Sequence, residues 1–188
     1  MIELIRVASD LQNFCAARQW RFCLIGGLAL QRWGEPRETV DVDLTLLTGF
    51  GGEEPFIVAL LDRFEGRVDD PAGFARTNRV LLLRSESGVG IDIALGGLPF
   101  EELVVSRATR FAFPGDVRLL TCSAEDLIVL KAFAARGQDW VDIEGIIVRQ
   151  AGALDWTYVD EQLSPLAALK DAPEILTELA RRRTEFES

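Results

Sequence analysis

The spacing of hydrophobic and polar residues predicts an α/β first part followed by a helical second part. Hydrophobic positions recur at helical spacing in some segments, whereas short apolar runs with alternating polar positions indicate strands elsewhere. Strands are predicted at residues 21–25, 39–47, 79–84, 89–95, 109–113 and 117–121. Helices are predicted at residues 2–18, 28–33, 55–64, 100–107, 124–136, 139–150, 157–168 and 172–185. Residues 66–78 are polar, contain proline and glycine, and are predicted to be irregular.

The character of the chain changes at residue 123. Ser123 precedes Glu125 and Asp126, which is the pattern of a helix N-cap with acids in the first turn. No strand is predicted after this point. We therefore expect a core at residues 1–122 and a C-terminal helical region at residues 123–188, packed against each other.

Acidic and apolar residues alternate along the strand predicted at residues 39–47. Side chains two apart on a strand share one face, so Asp41 and Asp43 would stand side by side while Val40, Val42 and Leu44 enter the core. Neighbouring carboxylates repel each other unless a cation bridges them, and a hard cation such as Mg2+ prefers carboxylate oxygens. The alternative interpretation is the solvated face of an edge strand.

Two other features fit anion or cation binding. Gly26-Gly27 lies at a strand-to-helix junction, where a phosphate can approach the backbone and the helix N-terminus. Asp92 is flanked by apolar residues on a later strand, and it would join Asp41 and Asp43 if the two strands pair. Taken singly, the glycines also fit a simple tight turn, and Asp92 fits the exposed face of a hairpin.

Composition excludes several kinds of chemistry. The chain has no histidine, which rules out Ser-His-Asp and Cys-His catalysis and His-containing zinc sites. A net charge of −10 argues against non-specific binding to long nucleic-acid duplexes, because such binding depends on neutralising phosphates. The three cysteines lack metal spacing and are expected to be reduced core residues. Apolar runs are too short to cross a bilayer and residues 1–19 lack a signal-peptide core, so a cytoplasmic protein is expected.

The order Gly26-Gly27, Asp41-x-Asp43, Asp92 resembles the DNA polymerase β-like nucleotidyltransferase superfamily. This resemblance implies an α+β fold, in which a small mixed sheet is flanked by helices and followed here by the C-terminal helical region. It also implies that Asp41, Asp43 and Asp92 are the catalytic residues and the metal ligands. The implied cofactor is Mg2+, as two ions, with Mn2+ as a possible substitute.

Residues further along the chain resemble the AbiEii-type nucleotidyltransferases, which occur as toxins of toxin–antitoxin systems. Lys131 and Asp142 match a lysine and an acid on successive helices of that family, with Asp139 as a less certain neighbour. Arg37-x-Thr39 matches the approach to the acidic strand. The resemblance covers roughly residues 22–150. The NTP-binding residues it implies are Gly26, Gly27, Arg37, Thr39, Lys131 and Asp142.

The implied reaction is transfer of a nucleoside monophosphate from an NTP to an acceptor hydroxyl. The expected acceptor is tRNA or another RNA, and a cognate antitoxin is a possible partner. Because an acidic protein suits an RNA acceptor poorly, a basic surface strip is expected to contact it. The residues of this strip would be Arg32, Arg37, Arg76, Arg79 and Lys131.

Other functions fit the same residues. A small-molecule nucleotidyltransferase of the antibiotic-modifying kind, or a protein-AMPylating enzyme, would use the same three acids. A non-catalytic nucleotide-binding module would retain the fold without turnover. Without the resemblance, Lys131 reads as an exposed helix lysine and Arg37 as a loop charge paired with Glu35 or Glu38.

Overall fold

A mixed β-sheet runs through the first part of the chain in the computed structural model, which describes residues 1–186. Its strands are β1 (Phe22–Leu24), β2 (Asp41–Leu47), β3 (Glu65–Gly66), β4 (Val80–Arg84), β5 (Gly90–Gly96), β6 (Thr109–Phe113) and β7 (Val117–Thr121). The strand order across the sheet is β3-β4-β5-β2-β1-β7-β6. Each predicted strand is present within a few residues. The last two residues of the predicted C-terminal region, 187 and 188, lie outside the described residues.

Helices precede, interrupt and follow the strands. They are α1 (Ile2–Ala17), α2 (Gly26–Trp33), α3 (Glu54–Leu61), α4 (Pro71–Asn78), α5 (Pro99–Ser106), α6 (Ala124–Ala134), α7 (Gly137–Gln150), α8 (Trp156–Leu169) and α9 (Glu174–Phe186). The α+β class is confirmed, and so is the helical C-terminal region. The capping role predicted for Ser123 is also confirmed, because its hydroxyl accepts a hydrogen bond from the amide of Asp126.

The prediction that residues 66–78 are irregular is wrong, because this segment contains α4. Pro71 occupies the first turn of the helix, where its missing N–H is not needed. Asp70 caps the helix by accepting a hydrogen bond of 2.9 Å from the amide of Gly73. The polar composition of the segment therefore marks a capped surface helix as well as a loop.

The central strand β2 positions the acidic residues. It pairs in parallel with β5 and antiparallel with β1, which confirms the expected pairing of the two acidic strands. Val42, Leu44 and Leu46 are fully buried on one face of β2, in the hydrophobic core. The prediction that Val40 joins them is wrong, because Val40 precedes the strand and is 67% exposed. Burying each such side chain contributes about 1.5–3 kcal/mol to folding. This burial directs the alternate positions, Asp41 and Asp43, to the opposite face of the sheet.

The chain divides into two compact units. One comprises residues 1–28 and 38–122, and contains the sheet; the other, the helical unit, comprises residues 29–37 and 123–188. Residues 29–37 join the helical unit through hydrogen bonds from Arg149 to the carbonyl of Gly34 (2.6 Å) and from Gln150 to that of Trp33 (2.7 Å). The division of function between residues 1–122 and 123–188 stays a prediction.

The three cysteines occupy core positions. Cys15, Cys23 and Cys122 are all buried, as predicted. None of the helices described over residues 1–186 is both long and apolar enough to span a bilayer.

Candidate active site

Parallel pairing of β2 with β5 brings the predicted acids together on one face of the sheet. Asp43 lies directly opposite Asp92, and Asp41 lies opposite Gly90. Paired residues on neighbouring strands project to the same side, so all three carboxylates share that side. The side chains of Asp41 and Asp92 are 39% and 34% exposed, which leaves them half-open to solvent.

A guanidinium group occupies the space between two of these carboxylates. Arg67 Nη1 lies 3.8 Å from Asp41 Oδ1, and Arg67 Nη2 donates a hydrogen bond to Asp92 Oδ1. Sequence analysis missed Arg67 because it falls in the segment predicted to be irregular. Its one local signal is its place directly after Gly66, at the end of the two-residue strand β3.

The chemistry of the donor set fits a hard divalent cation, since carboxylate oxygens are the ligands that Mg2+ prefers. The acids already attract a positive charge, that of Arg67. Residues 1–186 nevertheless contain no group of three or more His, Cys, Asp or Glu side chains arranged to hold a metal ion. Asp41, Asp43 and Asp92 are thus not arranged as such a group, and Arg67 is paired with Asp41 and Asp92. Metal binding by these residues stays a prediction.

The environment of Asp92 makes its carboxyl a weaker acid than usual. Burial has the largest effect and raises the pKa of Asp92 above its ordinary value, and the negative charge of Asp41 raises it further. The positive charge of Arg67 lowers the pKa and offsets part of this rise.

The two glycines predicted to bind phosphate lie against the acidic strand. Gly26 begins α2 with a φ of +57°, and a Cβ at this position would collide with the carboxylate of Asp43. The amide of Gly27 lies 3.4 Å from Asp43 Oδ2, and a Cβ there would collide with Thr39. Both positions therefore require glycine because a second chain segment approaches closely. The N-terminus of α2 is thereby placed next to the acids.

Thr39 stands beside the same strand. Its hydroxyl is within 3.4 Å of the carbonyl oxygen of Asp41. With Gly26 and Gly27 it belongs to the unit that contains the sheet. Six of the nine predicted site residues lie together in this unit: Gly26, Gly27, Thr39, Asp41, Asp43 and Asp92. The other three, Arg37, Lys131 and Asp142, belong to the helical unit.

A buried ion-pair network connects those three residues. Lys131 is 5% exposed, and its Nζ lies 2.6 Å from Asp142 Oδ2 and 3.3 Å from Asp139 Oδ1. Arg37 binds Asp142 through two hydrogen bonds of 2.8 and 3.0 Å. Lys131 is thus not an exposed helix lysine, and Arg37 is not simply a loop charge.

The network determines the protonation of Asp142. Burial alone would raise the pKa of Asp142, but hydrogen bonds from Arg37, Lys131 and Gln138 outweigh it and lower the pKa below its ordinary value. The carboxyl is therefore ionised, and its negative charge holds the two cations in place.

Four of the five cations of the expected basic strip are paired with carboxylates. Arg76 makes two hydrogen bonds to Glu54, of 2.8 and 2.9 Å, and Arg79 is paired with Glu53. Lys131 is buried, and Arg37 is paired with Asp142 as described above. Sequence reasoning counted these cations without their carboxylate partners, which come from distant parts of the chain.

A helix that starts at paired glycines, next to parallel strands carrying Asp-x-Asp and a further Asp, defines the class of nucleotidyltransferases. A family model described as "Nucleotidyl transferase AbiEii toxin, Type IV TA system" matches residues 15–156. The chain belongs to this AbiEii family, and it is a nucleotidyltransferase enzyme. A comparison with curated proteins gave no match.

Solved structures that are similar to this chain to different degrees include nucleotidyltransferases. An antigenic nucleotidyltransferase-like protein from Paracoccidioides brasiliensis is 19% identical with a TM-score of 0.52, covering 96% of this chain and 93% of that one. The lincosamide antibiotic adenylyltransferase LnuA is 14% identical with a TM-score of 0.46, covering 73% and 92%. The antibiotic-resistance factor ANT(2'')-Ia is 16% identical with a TM-score of 0.43, covering 98% and 88%. At these identities, the first likeness establishes the fold and nothing finer.

Proposed function

We propose that this protein transfers a nucleoside monophosphate from an NTP to an acceptor hydroxyl on RNA, as the toxin of a toxin–antitoxin pair. The observation that supports the chemistry is the placement of Asp41, Asp43 and Asp92 on one face of the sheet, beside the start of α2. Membership of the AbiEii family supports the toxin role.

The proposed metal ligands are the same three carboxylates. Asp41 and Asp43 would hold the Mg2+ that accompanies the triphosphate, and Asp92 would join them in holding a second ion, with Mn2+ as a substitute. When bound, Mg2+ neutralises phosphate charge and favours in-line alignment of the attacking and leaving oxygens. The side chains of Asp41 and Asp92 keep 39% and 34% of their surface exposed to solvent, although Arg67 contacts one oxygen of each.

The proposed step forms one bond and breaks one. The acceptor oxygen bonds to the α-phosphorus of the NTP, the bond to the bridging oxygen of the β-phosphate breaks, and pyrophosphate leaves. Asp92 accepts the proton of the acceptor hydroxyl, a role typically worth about 10²–10⁴ in rate.

Phosphate binding is assigned to backbone and cationic groups. The amides that follow Gly26-Gly27, at the positive end of α2, would bind the β- and γ-phosphates. Lys131 and Arg37 would add positive charge, and Asp142 would hold both in position through the ion pairs already described. Thr39, whose hydroxyl lies beside Asp41, is the remaining residue proposed to bind the NTP.

An RNA end is the proposed acceptor, with tRNA as the first candidate. The net charge of −10 opposes extended contact with a phosphate backbone, because such binding depends on neutralising many phosphates. Recognition of a terminal hydroxyl needs few phosphate contacts. A cognate antitoxin is proposed as the cellular partner.

Incubation of the full-length protein with labelled NTPs and Mg2+ tests this function. Three acceptor pools are compared: total RNA, total protein and a panel of small hydroxylated molecules. We expect label on RNA, and its loss in Asp41→Asn. The matched control is Asp10→Asn, the same chemical change at an exposed position on α1.

The outcomes separate the alternatives. Label on protein or on small molecules alone would reject RNA as the acceptor while keeping the chemistry. Full transfer by Asp41→Asn would reject the site. Binding of an NTP with no transfer to any pool would indicate a nucleotide-binding module. In cells, expression of the wild type, but not of Asp41→Asn, should arrest growth.

A further inference from the structure

Arg67 is poised at the acidic site as an internal cation. Its guanidinium is ion-paired with both Asp41 and Asp92, on the sheet face that carries the candidate metal ligands. The side chain is only 24% exposed, and its Nε is buried and makes no hydrogen bond among residues 1–186. The charged end of Arg67 is therefore directed into the site, not into solvent.

The sheet explains how Arg67 reaches the acids. Its amide donates a hydrogen bond of 3.0 Å to the carbonyl of Leu82, which continues the pairing of β3 with β4. Leu82 pairs with Asp92, and Asp92 pairs with Asp43, so these residues form one row across four adjacent chain segments. Neighbouring strands are about 4.8 Å apart, so the Arg67 side chain passes over one strand, β4, to reach Asp92 on β5.

The backbone opposite Asp41 leaves room for the guanidinium. A Cβ at Gly90 would collide with Asp41 Oδ1 and would lie 2.9 Å from Arg67 Nη1. Glycine at this position therefore lets the carboxylate and the guanidinium approach the strand together. Three separate segments, around residues 41, 67 and 90, thus build one position for a positive charge.

We propose that Arg67 is a tethered cation that neutralises the Asp41–Asp92 pair in the nucleotide-free protein, and that a divalent ion bridging these carboxylates must displace it. This inference rests on the proposed function and extends it to how the site is loaded. The same carboxylate oxygens cannot contact both positive charges, and the two charges repel each other at short range. Arg67 therefore lowers the affinity of the empty site for metal.

The consequence is a site that loads metal mainly together with its substrate. An arriving triphosphate brings negative charge that offers the guanidinium a new partner while it delivers Mg2+. Displacement of Arg67 then becomes easier with nucleotide than without it. Arg67 acts here through the acids, so it is a positioning residue.

Direct measurement of Mn2+ binding without nucleotide tests the proposal, with free Mn2+ followed by electron paramagnetic resonance. Arg67→Gln removes the charge, and we expect it to bind Mn2+ about tenfold more tightly or better, because a hydrogen bond to a charged group no longer has to be broken. Arg63→Gln is the matched control. Arg63 is exposed, pairs only with Glu86 among the described acids, and differs from Arg67 in not touching the site.

Two further measurements keep the proposal testable if Arg67→Gln folds poorly. Arg67→Lys keeps the charge and should bind Mn2+ much as the wild type does. In the wild-type protein itself, the Nε–H resonance of Arg67 should shift as Mg2+ saturates the site. A resonance that stays in place through saturation would overturn the proposal without any variant.

The results distinguish this inference from the proposed function. Equal Mn2+ affinity in the wild type, Arg67→Gln and Arg63→Gln, together with NTP transfer, would overturn the role of Arg67 and leave the enzyme chemistry standing. Lower stability of Arg67→Gln with unchanged Mn2+ affinity would also overturn it, since the pair would then be only structural. Absence of both Mn2+ binding and NTP transfer would reject the proposed function itself.

Discussion

Single residues in this protein set how closely the acidic strand and its neighbours approach. Gly26 faces the carboxylate of Asp43 with no room for a Cβ, and Gly90 does the same for Asp41. The site therefore depends on the absence of a Cβ at Gly26 and Gly90 as well as on the carboxylates. At the same scale, Asp142 pairs with Arg37 and Lys131, which the sequence predicted only as NTP-binding residues.

Replacing Gly26 by alanine should damage the site more than the fold. The φ of +57° is strained for alanine, at about 1–3 kcal/mol, and its Cβ would push Asp43 aside. We expect lower stability in urea unfolding and loss of NTP transfer. Gly49→Ala is the matched control: its φ is +72°, but nothing lies within 4 Å of the new Cβ. Wild-type transfer by Gly26→Ala would contradict the importance of the collision with Asp43.

Replacing Asp142 by asparagine should destabilise the helical unit. Lys131 would keep its charge in a buried position with a weaker set of partners, and removing one member of a buried ion pair typically costs about 3–5 kcal/mol. Urea unfolding measures this loss. Asp160→Asn, at an exposed position on α8, is the control and should change stability little.

The same residue makes a prediction about pH. The folded pKa of Asp142 is lowered from 3.8, so its contribution is fully present above that unfolded value and is lost as pH falls below it. Wild-type stability should therefore decline below about pH 4 with a component that Asp142→Asn lacks. Identical acid limbs in the two unfolding profiles would contradict the ion-pair network.

Elements were predictable wherever a periodic apolar pattern was long enough to be read. The alternation in β2 and the helical spacing in α1 follow from burial of one face, so the sequence predicts both. The helix α4 was missed because it is short, polar and contains Pro71 and Gly73, which are usually loop signals. Arg67 was missed with it, since its role depends on β3 and β4 pairing.

Removing the cap of α4 tests whether this helix depends on Asp70. Asp70→Ala deletes the acceptor for the amide of Gly73 and should cost about 0.5–2 kcal/mol. Hydrogen exchange at the α4 amides should accelerate, and urea unfolding should report the loss. Asp69→Ala, one residue earlier and exposed, supplies the comparison. Similar exchange in both variants would argue against the cap.

At the scale of the whole molecule, the boundary between the two compact units does not fall only at residue 122. Residues 29–37 group with residues 123–188, although they follow directly on the glycines of the candidate site. The helix α2 therefore begins in one unit and ends in the other. Ion pairing also acts at this scale, because it neutralises arginines that would otherwise offer a basic surface to RNA.

A chain that ends at Cys122 should fail to fold as a stable domain. It lacks Arg149 and Gln150, which bind the carbonyls of Gly34 and Trp33, and it lacks the partner of Arg37. We expect weak, non-cooperative thermal unfolding and exposed apolar surface, measured by calorimetry and dye binding. Cooperative unfolding of this fragment would show that residues 29–37 need no partner from the rest of the helical unit.

The sequence by itself determined the order of the elements other than β3 and α4, the α+β class and the family, because periodic burial and motif spacing are local properties of the chain. It also predicted the shared face of Asp41, Asp43 and Asp92, since alternation on strands places them together once the strands pair. Tertiary structure alone decided which charges meet. The contacts of Arg67 with Asp92, and of Arg37 and Lys131 with Asp142, join segments whose separation along the chain carries no periodic signal. Charge pairing depends on distance in space, and only the folded packing sets that distance.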